Sequence, residues 1–244
     1  MRNFTIKIFT LLLAVSLGLS AVSQNIICVD RDGSAYSTSF TDVWPKFQGA
    51  LDANGYTYTY FEVLESTLNG PDATQMGEHD IVIWFTGETW AESQTMTNDD
   101  EFNLLLYATV SGGKIFLSAQ DYLWDRYPSA GILGDTDFPN SVLGLEEVSQ
   151  DFWSFGMPDT MSCFGIDGSL AEGFRFGLHD VYTTEKEGLW IDRIIAHRGE
   201  NLFNLRVSGS DSVGAFQYEG ANYRTVFSTV SFGCVIDTND RTEL

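Results

Sequence analysis

The sequence is poor in positive charge: 13 lysines and arginines stand against 34 aspartates and glutamates, a formal net charge of −21. A surface of that sign repels phosphate backbones and anionic lipid, which argues against nucleic acid and leaves cations, basic proteins or neutral sugars as partners. Cysteine is scarce too. Cys28, Cys163 and Cys234 are the only three, so at least one has no partner within the chain, and disulfides are not the scaffold. There is no CxxC pair and no spaced histidine set among three histidines, so the usual zinc patterns are missing. One long apolar run exists, Ile8 to Leu19. Arg2 and Lys7 precede it and Ala21-Val22-Ser23 follows, the signature of a secretory leader too short and wrongly flanked to span a membrane. Residues 1–23 are therefore expected to be a signal peptide cleaved before Gln24. The mature chain is expected outside the cytoplasm, secreted, periplasmic or at the cell surface, with no transmembrane segment. The leader holds two of the bases and no acid, so the mature chain is more acidic still.

What is present is an alternation of apolar runs and helical patterns. Asn25–Val29 reads as a first buried strand ending in Asp30-Arg31-Asp32-Gly33. Phe40, Val43, Trp44, Phe47 and Leu51 then recur at helical spacing, with Asp42 as the cap, Pro45 in the first turn and Asn54-Gly55 at the end. Tyr56–Val63 is a β-branched and aromatic second strand, and Ile81–Phe85 is apolar throughout, as in a strand covered on both faces. Thr97 and Asp100 form a capping-box pattern before Phe102, Leu105 and Leu106, and Gly112-Gly113 stops that helix. Lys114–Leu117 follows as a strand, and Ser118-Ala119-Gln120-Asp121 turns the chain into Tyr122-Leu123-Trp124. Strand, tight turn and helix is the geometry that presents a nucleophile above an α/β sheet.

Beyond Ser129 the composition shifts to Gly, Asp and Ser, with short candidate strands at 174–178, 189–195 and 202–207. Gly214–Tyr218 and Tyr223–Ser228 read as a closing strand pair. The expected organisation is one α/β domain over 24–244, with 24–128 and 210–244 as its core and 129–209 as a β-rich insertion. Asp237–Leu244 reads as the cap and first turn of a helix barely begun, so the last helix is expected to be truncated.

The Asp30–Gly33 turn, Ile81–Trp90, Gly112–Asp121 and Tyr223–Phe232 together resemble the class I glutamine amidotransferase-like fold, in its secreted bacterial form. The resemblance covers about half of the mature chain. It implies a flavodoxin-like, mainly parallel sheet with helices on both faces, here carrying the β-rich insertion. It also implies that Ser118 occupies the nucleophile position, with a His and an acid expected just after the late strand Arg224–Ser228. The sequence there is Thr229-Val230-Ser231-Phe232-Gly233-Cys234, with neither. A serine hydroxyl without a base stays protonated and is a poor nucleophile. The expectation is a non-catalytic module that binds a ligand or a protein partner. The alternatives are a serine hydrolase using Ser118 with His179 or His197 as base, and a glycan-binding accessory domain. His79 precedes a strand and lies at the wrong end.

In parallel α/β sheets ligands bind beyond the carboxyl ends of the strands. Asp30, Asp32, Glu88 and Asp121 end three of the runs, with Ser118 and Gln120 as neutral oxygen donors. Asp30, Asp32 and Asp121 are the candidate metal ligands, with calcium as the ion such hard oxygens would take. Trp90, in a polar segment, is the candidate contact for a sugar or peptide; Trp124 is expected in the core.

Overall fold

Five apolar runs pair side by side in a computed structural model that describes residues 24–90, 95–128, 131–153, 161–178, 190–196, 198–207 and 210–244. They are β1 (Ile26–Asp30), β2 (Tyr58–Glu62), β3 (Ile81–Gly87), β4 (Lys114–Ala119) and β11 (Arg224–Ser228), in the spatial order β2-β1-β3-β4-β11, every pair parallel. Between them lie the helices α1 (Trp44–Ala53), α2 (Ala73–Met76) and α3 (Asn98–Ser111). Thr97 and Asp100 close the reciprocal cap of α3, each side chain accepting from the other's backbone N–H. Asp42 Oδ1 accepts from Trp44 N at 3.0 Å at the start of α1, where Pro45 lacks a donor that the first turn does not need.

The rest of the chain corrects the flavodoxin-like expectation. Between β4 and β11 the described residues form two short helices, α4 (Tyr122–Arg126) and α5 (Phe138–Ser141), and then six strands: β5 (Leu145–Trp153), β6 (Met161–Gly165), β7 (Arg175–Leu178), β8 (Ile191–Ala196), β9 (Glu200–Val207) and β10 (Ser210–Glu219). Strand β10 returns as a hairpin onto β11, and β9, β6 and β7 continue from it, all antiparallel. The result is one mixed sheet of nine strands, and β5 and β8 form a separate antiparallel ribbon. The segment set apart in sequence as an insertion, 129–209, thus supplies three strands of the main sheet, β6, β7 and β9. A tight turn at 220–223 permits only antiparallel pairing of β10 with β11, and that ends the parallel run on this side.

Side chains alternate across the sheet with period two. Ile27, Val29, Val82, Trp84, Ile115 and Leu117 face α3, α4, α5 and the β5–β8 ribbon. Ile26, Cys28, Ile83 and Phe85 face α1, where Phe47 stacks on Phe85 with centroids 4.2 Å apart. On this second face a two-stranded ribbon is absent, and the short helix α6 (Thr238–Glu243) packs against α1, with Asn54 Nδ2 donating to Thr242 O at 2.8 Å. Among the described residues no helix is long and apolar enough to cross a membrane. The proposed leader, residues 1–23, lies outside the described residues.

Candidate functional site

The carboxyl ends of β1, β3 and β4 gather the acids as a parallel sheet must. Asp30 closes β1 and is buried, as is Asp32 two residues on. Asp30 Oδ1 accepts from Asp32 N at 3.1 Å and its Oδ2 accepts from the Tyr60 hydroxyl at 2.9 Å. Asp32 accepts from Ser34 N at 2.9 Å and from Val43 N at 2.7 Å. Burial pushes the Asp30 carboxyl up to about 8, with Asp32 beside it acting the same way. Burial likewise raises Asp32, against its backbone hydrogen bonds. Two acids are thus held in a dry pocket where the charged form of each is disfavoured.

Asp42, read in sequence only as a helix cap, is the third acid here. Oxygens of Asp30, Asp32 and Asp42 lie within 4.8 Å of one another. Asp121 is not in that group; it stands at the N-cap position of α4 without a side-chain capping bond and accepts from Gln120 Nε2 at 3.4 Å. The donor set that the structure brings together therefore replaces Asp121 by Asp42. A sequence signal existed for it, since Asp42 begins the helix that packs on β1, but that placement is tertiary.

Glu88 sits just past β3 and is buried. A bulge between Phe85 and Gly87, with Gly87 at φ +56°, folds the chain back over β1 so that Thr89 Oγ1 donates to Asp32 O at 2.7 Å. A side chain at position 87 would also crowd Asp32 Cβ at 3.0 Å. Glu88 Oε1 accepts from Cys234 Sγ at 3.3 Å, a contact absent from the sequence reading. Lys46 of α1 donates to Gly233 O beside it, and burial lowers its pKa.

Ser118 is the decisive residue for catalysis. Its hydroxyl is buried at the end of β4, accepts from Phe232 N at 2.9 Å and reaches Val230 O at 3.5 Å. It ties β4 to the loop after β11. Among the described residues no histidine bonds it: His79 bonds Gln75 O and Thr59 Oγ1 at the amino end of β3. His179 and His197 lie outside the described residues. Gln120 is fully buried. Trp90 is 60% exposed at the rim. Trp124, expected in the core, is 40% exposed, whereas Tyr122 is fully buried and donates to Glu101 Oε1 at 2.8 Å. Helical spacing placed the wrong one of the two inside because α4 lasts only five residues.

Behind the acids lies a feature that sequence reasoning passed over. Arg31, between the two aspartates, is fully buried, donates to Leu68 O and Ser66 O at 2.7 and 2.9 Å, and pairs with Asp100 at 3.4 Å.

No family model and no curated protein matches this sequence. Solved structures do share its fold. A β-galactosidase from Bacillus circulans sp. alkalophilus is 12% identical over 92% of this chain and 30% of its own, with a TM-score of 0.53. A cytoplasmic protein from Salmonella typhimurium is 8% identical over 85% of this chain and 87% of its own, at 0.53. A carbohydrate deacetylase is 14% identical over 84% of this chain and 29% of its own, at 0.52. The chain spans less than a third of either enzyme. Identities this low establish likeness of fold alone. The nine-stranded mixed sheet, together with this likeness, replaces the flavodoxin-like assignment.

Proposed function

We propose that the chain is a non-catalytic module, exported from the cell, that binds neutral carbohydrate at the carboxyl edge of β1, β3 and β4. The observation that carries this reading is the composition of that edge: an exposed indole, Trp90, beside a set of buried and exposed carboxylates. Sugars stack their apolar faces on aromatic rings and donate hydroxyl hydrogens to carboxylates, and they carry no charge for an acidic surface to repel. The carbohydrate-active enzymes among proteins of this fold support a sugar over a protein partner, as analogy. The elbow likeness to the glutamine amidotransferase class fits a member without its triad, because among the described residues the Ser118 hydroxyl is held by backbone groups and by no base.

The test is calorimetric titration of the mature protein with neutral oligosaccharides of galactose and mannose. We expect saturable binding that Trp90→Ala weakens by about tenfold, the loss of one good stacking contact. Absence of binding to every sugar, or binding indifferent to Trp90→Ala, would overturn the proposal.

A further inference from the structure

The described residues cover the α1 face of the sheet only in part. Past Phe116 of β4 the floor continues through Val226 and Ser228 of β11, Ala215 of β10, Leu202 and Phe203 of β9, and there it bounds a half-open cavity of about 350 Å³. The loop after β6 roofs it through Leu170, Ala171 and Phe174. That roof is seated firmly. Gly165 N donates to Phe174 O at 2.9 Å and Ile166 N to Leu202 O at 2.9 Å, and a Cβ on Gly165 would fall 1.5 Å from Ala171 O. The volume is within the range of small-ligand sites.

The walls decide what can enter. Among the described lining side chains the one hydroxyl is that of Ser228, and it already donates to Val230 O at 2.9 Å. A sugar or peptide would lose its hydrogen bonds to water here and gain none. Water alone would fare as badly, since it needs two or more polar partners. The wall residues Ala215, Leu202 and Phe176 are no more than 6% exposed. A protein face cannot reach surfaces so recessed; a slender chain can. The net charge of −21 disfavours an anionic headgroup at the mouth.

We propose that this cavity binds a single uncharged alkyl chain, the apolar part of a neutral amphiphile. The proposal is independent of the sugar-binding reading and concerns a different face of the molecule. It is tested on the mature protein with N-phenyl-1-naphthylamine, a neutral apolar fluorophore, displaced by 1-dodecanol, by dodecanoate or by maltose. We expect saturable one-site binding, displacement by dodecanol, displacement by dodecanoate at about tenfold higher concentration, and none by maltose. Ala215→Phe fills the floor and should reduce affinity at least tenfold. Leu170→Ser, at an exposed rim position, should weaken binding severalfold with an unchanged melting temperature, and it decides the matter if Ala215→Phe does not fold. The proposal is overturned by absence of saturable binding, by preference for dodecanoate, by full affinity in folded Ala215→Phe or in Leu170→Ser, or by a dimer that Leu170→Ser dissolves without any probe binding.

Discussion

Asp100→Ala should be among the most damaging single substitutions in this chain. Asp100 pairs with Arg31 at 3.4 Å with both side chains fully buried, and it accepts from Gly70 N at 2.7 Å and Thr97 N at 2.8 Å. Removing it strands a guanidinium in the interior, which costs about 3–5 kcal/mol, and also opens the cap of α3. Asp72→Ala is the control: Asp72 caps α2 at the surface with the same reciprocal geometry, and its loss should cost about 1 kcal/mol. The pair itself is separated from the stranded charge by Arg31→Met combined with Asp100→Ala. With no buried cation left, the double variant should be more stable than Asp100→Ala alone by about 1 kcal/mol or more, even though Leu68 O and Ser66 O lose a donor. Urea unfolding at 25 °C, followed by tryptophan fluorescence, measures the parent, these three variants and Arg31→Met alone, which completes the cycle. The reasoning fails if Asp100→Ala costs no more than Asp72→Ala, or if the two substitutions at 31 and 100 simply add.

Stability should fall as pH rises from about 4 to about 8. Asp30 titrates near 8 in the folded chain because it is buried beside Asp32, against about 3.9 when unfolded, so the folded state holds a proton that the unfolded chain releases. The stabilisation is full below the unfolded value and lost as pH passes through the folded one; Asp30→Asn should flatten the melting curve over that window, and an opposite slope in the parent protein would refute this. Ser118→Ala should cost about 1–2 kcal/mol through its contacts to Phe232 N and Val230 O. No fluorophosphonate label should depend on Ser118; a label present on the parent and absent from the variant would contradict it. Calcium in the millimolar range should raise the melting temperature, more at pH 8 than at pH 5 because it competes with the Asp30 proton, and less in Asp42→Asn. A flat melting temperature at both pH values would rule the ion out.

The parallel strands were legible because each is an apolar run closed by a turn and separated by a capped helix. Thr97 with Asp100 and the Gly112-Gly113 stop are local signals, and local signals survive into the fold. The pairing of β10 with β11 was legible as a closing hairpin, but β6, β7 and β9 were not legible as part of the same sheet. Runs such as Glu200–Val207 and Ser210–Glu219 mix polar and apolar residues and include bulges between Val213 and Phe216 that break the period of two. Which sheet a strand joins is set by long-range pairing, which no window of sequence reports. The site divided the same way. Asp30, Asp32, Glu88, Ser118, Gln120 and Asp121 were found from their place after strands. Asp42, Cys234, Arg31 and Tyr60 were missed as partners, because each meets its neighbour through tertiary contact from another element.

The position of β11 governs how the molecule can be made. It lies in the middle of the nine-stranded sheet, yet Ser118 and its partner Phe232 are 114 residues apart. During synthesis β4 therefore emerges with one edge unsatisfied and keeps it so until residues 224–228 have left the ribosome. Closing so long a loop is slow, and an apolar strand edge left open invites pairing with another chain. Truncations that stop before residue 224 should accumulate as aggregates rather than as a smaller folded unit. A cell that makes this protein therefore has reason to hold it unfolded or escorted until its last strand is available.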